Sequence, residues 1–227
     1  MSLEGSKEGP KTPFARLGVL ICASIGYVSY KIMAFISIIV LKLFFRLEVK
    51  NTEYLPSEGP IILAANHFSI LDPWVLQVAC PRRITYMVED LYYKSWGWWF
   101  YRMHNAIPVK ERGLNKNAFV TGLNALKKNA VIGIFPEGWE GRVNGKVGRG
   151  NPGVAMLSCK SRVPVLPIYI DGSYEILPKG AILPRFTKLV ITYGRPINFN
   201  NIDRPDKETL RKMTDEIMDK IRDLSGK

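Results

Sequence analysis

The chain has 227 residues, 47% of them hydrophobic, which is enough for one sizeable core and too apolar for wholesale disorder. It carries 32 Lys and Arg against 20 Asp and Glu, a net charge of +12, and the excess lies within residues 1–200 because residues 201–227 balance. Three scattered cysteines (Cys22, Cys80, Cys159) form no CxxC, so neither a disulfide framework nor a structural zinc site is indicated, and two histidines (His67, His104) rule out three-histidine zinc chemistry.

Residues 1–13 are polar, contain Gly5, Gly9, Pro10 and Pro13, and read as a disordered lead-in. Residues 14–46 are very apolar. Leu17 to Tyr30 and Ile32 to Leu41 carry no charge, and Lys31 divides them. Neither run reaches the roughly 18 residues that span a bilayer, and a lysine at mid-membrane costs about 2.5 kcal/mol or more. The segment lacks the small-x-small cleavage pattern of a signal peptide. Two helices lying in one leaflet fit better, bent at Gly26 or Tyr30-Lys31, with Lys11, Arg16, Lys42 and Arg46 meeting lipid phosphates. A pair of soluble core helices is the competing reading, but a small domain has difficulty burying a segment that is apolar nearly all round.

Residues 47–227 read as one domain. Ile61 to Ala65, Ile84 to Val88, Ala106 to Val109, Val131 to Phe135, Val165 to Ile170 and Leu189 to Tyr193 are short apolar runs with the length of strands. Between them, Pro73 to Cys80, Asp90 to Tyr101, Asn115 to Lys128 and Val154 to Cys159 have helical character. Leu210, Met213, Ile217, Ile221 and Leu224 stripe a C-terminal amphipathic helix. Continuous apolar strands alternating with helices predict an α/β fold, a largely parallel central sheet flanked by helices, here preceded by the membrane-associating helical hairpin.

Two polar constellations follow strand ends, the edge where open α/β folds bind ligands. The first is Asn66-His67-Phe68-Ser69-Ile70-Leu71-Asp72-Pro73. Asp72 as helix cap and Pro73 at the first helical position make a helix start, and the intervening loop can fold His67 back onto Asp72. An imidazole oriented by a carboxylate is a general base that needs no metal. A structural histidine beside a helix cap is the bland alternative. The second constellation is Phe135-Pro136-Glu137-Gly138-Trp139-Glu140-Gly141-Arg142, opening a loop with six glycines up to Gly153. It fits an anion cradle with Arg142, Lys146 and Arg149 nearby, or else a solubilising loop in which Glu137 anchors a salt bridge. Its spacing is not that of a Walker loop.

Together, Asn66-His67-x4-Asp72 and Phe135-Pro136-Glu137-Gly138 resemble the NHxxxxD and FPEG blocks of the glycerolipid acyltransferase family, the 1-acyl-glycerol-3-phosphate acyltransferases and their relatives. Ala106-Ile107-Pro108-Val109-Lys110 and Val163-Pro164-Val165-Leu166-Pro167-Ile168 are similar to weaker family blocks in the same order, so the resemblance covers about residues 50–195. It implies His67 as general base and Asp72 as its orienter. It implies Lys110, Glu137, Gly138 and Arg142 as acceptor and phosphate-binding residues. The family's block usually continues Thr-Arg-Ser, and this chain reads Trp139-Glu140-Gly141, with the charge reversed at residue 140.

The implied reaction moves an acyl group from a thioester, on coenzyme A or acyl carrier protein, to the sn-2 hydroxyl of 1-acyl-glycerol-3-phosphate. No tightly bound cofactor and no metal is expected. Another lysolipid acceptor, a membrane-bound thioesterase or hydrolase, and a non-enzymatic lipid-binding protein are the alternatives. The missing G-x-S-x-G disfavours a hydrolase of the usual α/β kind, and no nucleic-acid-binding signature accompanies the charge. Trp96, Trp98 and Trp99 are candidates for the acyl groove or a membrane interface, because successive residues cannot share one helix face. Membrane lipids, a lysophospholipid and an acyl carrier protein are the expected partners. The expected location is the bacterial cytoplasmic membrane or its equivalent, with the catalytic domain facing the cytoplasm.

Overall fold

The structure, a computed structural model, describes residues 35–89, 106–109, 116–138, 145–176, 183–202 and 204–226. The chain divides into two compact units, Met1–Val40 and Leu41–Lys227. Of the first, residues 35–40 are helical, and Phe35, Ile36 and Ile39 are exposed. The expected lead-in and the rest of the expected hairpin, through residue 34, lie outside the described residues, as does the helix expected at 90–101. Among the described residues no helix is long and apolar enough to cross a membrane.

The second unit opens with residues 41–45 in helix. Its strands are β1 (Glu48–Lys50), β2 (Ile61–Ala65), β3 (Ile84–Glu89), β4 (Ile107–Val109), β5 (Val131–Ile134), β6 (Val165–Asp171) and β7 (Val190–Tyr193). Its helices are α1 (Asp72–Ala79), α2 (Lys116–Leu126), α3 (Gly153–Ser161), α4 (Ser173–Ile176) and α5 (Lys207–Asp223), with a 3-10 turn at Thr52–Tyr54. The strands form one sheet in the order β1-β7-β6-β2-β5-β3-β4.

Strands β6, β2, β5, β3 and β4 run parallel. Strand β7 runs antiparallel to β6, and β1 runs parallel to β7. The sheet is therefore mixed and mostly parallel. β6 and β7 are consecutive and neighbouring, a connection without a crossover that only an antiparallel pair allows. At the centre, every residue of β2 is fully buried, which is why its sequence is a continuous apolar run rather than an alternation.

The C-terminal helix forms as its stripe predicts. Asp206 caps it by accepting from Thr209 N at 2.8 Å, and Met213, Ile217 and Ile221 are buried. They join Ile62, Ile132, Leu157 and Val165 in one core. The elements absent from the sequence reading are β1, α4 and the 3-10 turn. All three are too short to show a hydrophobic period.

Candidate active site

The register of β2 against β5 decides what meets at the carboxyl edge of the sheet. Ala64 lies opposite Ile134, so Asn66-His67 and Phe135-Pro136-Glu137 leave adjacent strand ends although they are far apart in sequence. Asn66 fixes the start of its loop. Its side chain donates to Ile170 O at 2.9 Å and accepts from Ile170 N at 2.7 Å, adding an amide rung beyond the last strand pair, Ala65 with Ile168.

His67 is 7% exposed, and its Nδ1 lies 3.0 Å from Asp72 Oδ2. The same oxygen accepts from Phe68 N at 2.7 Å and Ser69 N at 2.8 Å. Asp72 is therefore not the helix cap that the sequence suggested. Leu71 holds that position, Asp72 is the first residue of α1, and no side chain caps the helix. The carboxylate turns back into its own loop because three donors converge on it there. Its fully buried Oδ1 has no partner among the described residues. An ionised carboxylate requires a donor opposite it, which puts the imidazole proton on Nδ1.

The imidazole stacks on Phe135, with ring centroids 4.3 Å apart and planes 24° apart. Phe135 in turn lies parallel to Tyr86 at 6.2 Å, and Tyr86 donates its hydroxyl to Pro73 O at 2.6 Å. Strand β5 thus ends at Ile134, one residue earlier than its apolar run. Phe135 leaves the ladder to form one wall of the histidine site.

Glu137 sits in the second turn, 2% exposed. It forms no salt bridge among the described residues. Its Oε2 accepts from Gly148 N at 3.1 Å, and Oε1 has no partner among the described residues. Burial pushes its carboxyl up from 4.5 to about 7. The Gly148 and His67 backbone amides oppose that shift, and the nearby Asp72 charge adds to it. Gly138 completes the turn with φ of +61°, a backbone that strains any residue with a Cβ, and donates its N–H to Phe135 O at 3.1 Å. Asn151 closes the other side, donating from both its N, at 2.8 Å, and its Nδ2, at 3.1 Å, to Pro136 O.

The glycine-rich segment at 145–150 is tied down by helix α5. Arg222 donates to Gly148 O at 3.0 Å and Arg211 to Gly150 O at 2.9 Å. Sequence reasoning took α5 for its apolar stripe and missed these two arginines. Nothing local marks which charge on a polar helix face reaches a distant carbonyl. Lys146 and Arg149 are exposed on the same segment. Lys110, Arg142, Trp96, Trp98, Trp99 and His104 lie outside the described residues.

Ser69 and Cys80, the nucleophilic side chains that follow His67 in sequence, have other occupations. Ser69 Oγ accepts from Leu71 N at 3.3 Å. Burial pushes the Cys80 thiol up to about 11, the reverse of activation. Among the described residues no group of three or more His, Cys, Asp or Glu could hold a metal ion.

The Glu137 shift has a measurable consequence. Between pH 4.5 and about 7 the folded protein retains a proton that the unfolded chain releases, so stability falls as pH rises through that window. The full cost above pH 7 is about 3 kcal/mol. Glu137→Gln removes this titration. Its melting temperature relative to the parent should therefore rise by roughly 5–10 °C between pH 4.5 and pH 7.5. Thermal melts of both proteins in the same detergent measure this, and a difference that stays constant with pH contradicts a buried, weakly compensated carboxyl.

Comparison with known proteins bears on the same residues. A family model described as acyltransferase matches residues 46–171, which include both blocks. A 1-acyl-sn-glycerol-3-phosphate acyltransferase of Bacillus subtilis (strain 168) is 28% identical over 204 residues, covering 87% of this chain and 98% of that protein. The chloroplastic 1-acyl-sn-glycerol-3-phosphate acyltransferase BAT2 of Brassica napus is 27% identical over 141 residues, which are 61% of this chain and 41% of its own length. The crystal structure of the 1-acyl-sn-glycerophosphate (LPA) acyltransferase PlsC from Thermotoga maritima superposes with a TM-score of 0.64 over 84% of this chain and 80% of that one. At 24% identity that likeness concerns the fold.

Proposed function

This chain belongs to the acyltransferase family, and on that premise we propose that it acylates the sn-2 hydroxyl of 1-acyl-glycerol-3-phosphate to form phosphatidic acid. The observation that carries the reading is the buried His67–Asp72 pair at 3.0 Å, at the carboxyl edge of the sheet and backed by Phe135. The names of the Bacillus subtilis and Brassica napus relatives support the choice of acceptor.

With the proton held on Nδ1, the lone pair of His67 Nε2 takes the proton of the acceptor hydroxyl. The oxygen attacks the thioester carbonyl, the C–S bond breaks, and the imidazolium returns its proton to the leaving thiolate. Asp72 keeps its charge throughout and stabilises the imidazolium. No acyl-enzyme is required, because the acceptor is itself the nucleophile. Glu137 Oε1, buried without a partner among the described residues, supplies an acceptor for a second polar group of the lysolipid, and the Gly138 turn shapes that side of the site. Lys110 and Arg142 hold the phosphate. The apolar 14–46 segment keeps the enzyme at the membrane where its lipid substrate resides, facing the cytoplasm.

The deciding assay measures product lipid from purified protein, with acyl-coenzyme A and acyl carrier protein thioesters as donors against a panel of lysolipids. Phosphatidic acid formation supports the reading. Release of thiol without product lipid establishes a thioesterase instead. Glu140, standing where the family usually has arginine, gives the alternative acceptors their place in the panel.

Phosphate recognition yields a separate expectation. Lys110→Ala and Arg142→Ala should each raise KM for the lysolipid more than KM for the donor, with a smaller change in kcat. Steady-state kinetics with each substrate varied in turn tests this. Parental KM values in both variants relegate the two residues to surface charge.

A further inference from the structure

Strand direction places a second feature at the catalytic edge. Because β1 and β7 run opposite to β2, β5 and β6, they begin where those strands end. Val190 pairs with Asp171 at the end of β6, and Glu48 pairs with Val190. The segments that feed them, residues 41–47 and 183–189, therefore lie along the same sheet edge as His67 and Asp72.

These two segments are firmly held. Arg185 N donates to Ile176 O at 2.8 Å, Leu189 N to Phe45 O at 2.9 Å, and Thr187 Oγ1 to Gly172 O at 3.3 Å. Gly172, at φ +84°, lets the strap pass so close that a Cβ there would sit 2.0 Å from Lys188 O. Yet the side chains carried by this braced backbone point outward. Leu43 is 71% exposed, Phe44 51%, Leu183 78% and Phe186 63%. Phe44 and Phe186 pack together, with ring centroids 5.4 Å apart. Lys42, Arg46 and Arg185 are exposed on the same segments and make no ion pair among the described residues, whereas Lys188 is paired with Glu48.

A folded protein does not ordinarily brace four large apolar side chains in water. Three cations among them, with no ion-pair partner among the described residues, disfavour a second copy of the same face and favour an anionic partner with an apolar interior. We propose that Leu43, Phe44, Leu183 and Phe186, with Lys42, Arg46 and Arg185, form a docking surface for an anionic lipid bilayer that belongs to the Leu41–Lys227 unit itself. The surface sets the catalytic edge against the headgroup layer, so that a lysolipid reaches His67 without leaving the membrane. The purpose of the surface rests on the lipid-acyltransferase reading, but its existence does not.

The test uses the full chain with Leu183→Cys in a Cys22→Ser background, labelled with an environment-sensitive nitrobenzoxadiazole probe. Cys80 and Cys159 are buried. The same label at Lys128→Cys, in the turn before β5 and so at the opposite edge, serves as control. On vesicles containing phosphatidylglycerol, the probe at 183 should shift to the blue and be quenched by nitroxide lipids labelled near the headgroup. The response should be weaker on pure phosphatidylcholine, and the probe at 128 should stay in water. Arg185→Glu combined with Phe186→Ser should lower the vesicle partition coefficient by roughly ten-fold, measured by flotation. A probe at 183 that stays as wet as that at 128 while the protein floats overturns the proposal, leaving the 14–46 segment as the anchor. A blue shift that appears without vesicles and grows with protein concentration identifies a self-association face and overturns it equally. Lipid insertion of position 183 in a protein that acylates no acceptor upholds the docking surface while removing the proposed function.

Discussion

His67→Ala should lower kcat for acyl transfer by roughly 10²- to 10⁴-fold, the contribution of a positioned general base. The expectation rests on three contacts that leave the ring little freedom. These are the 3.0 Å approach of Nδ1 to Asp72, the 4.3 Å stacking on Phe135, and the Asn66 rung that fixes the backbone one residue earlier. The substitution empties the space beside Phe135, so stability must be measured alongside activity. His67→Gln is the companion variant, since it refills most of that volume without supplying a base. Both should melt cooperatively and fail in turnover, whereas His104→Ala should keep the parental rate. Product lipid is the readout, because thiol release alone does not separate transfer from hydrolysis. Near-parental product formation by folded His67→Ala would falsify the general-base assignment.

Asp72→Asn should lower kcat by roughly 10²-fold or more while leaving the fold intact. Its carbonyl oxygen can occupy the place of Oδ2 and still accept from Phe68 N and Ser69 N, so the loop keeps its shape. The charge that stabilises the imidazolium is lost, and the amide nitrogen takes the buried position of Oδ1, which no donor among the described residues reaches. Because Asp72 does not cap α1, no helix-cap penalty is added to the loss in turnover. Asp72→Ala is the contrasting variant. It strands two buried backbone amides, each costing about 1–3 kcal/mol, and should lower the melting temperature where Asn does not. Circular dichroism melts and product-lipid kinetics on both variants separate the two roles. An Asn variant as active as the parent makes Asp72 a brace for the loop and no more.

The Glu137 carboxyl adds a constraint on working pH. It titrates near 7 and lies against the His67 backbone amide, so its charge changes in the range where the base must be neutral. Its hydrogen bond from Gly148 N continues through Gly148 O to Arg222, and so couples the site to the C-terminal helix.

What the sequence alone determined about this protein is its local content. Apolar runs at Ile61–Ala65 and Val131–Phe135, the stripe from Leu210 to Leu224, and the five-residue spacing of His67 and Asp72 are all short-range patterns. Side-chain period and loop length fix them before any tertiary contact forms. The resemblance of the two blocks then named the family. The tertiary structure decided everything that depends on which elements become neighbours. It set β5 beside β2 and so brought Phe135 and Glu137 against His67. Convergence of three donors turned the Asp72 carboxylate back into its loop, away from the helix it had been expected to cap. It laid Arg211 and Arg222 on the glycine loop, and it reversed β7, carrying Phe186 to the catalytic edge. Such contacts join residues distant along the chain, and their formation depends on sheet order, burial and competing donors. None of these quantities is written in a local window of residues.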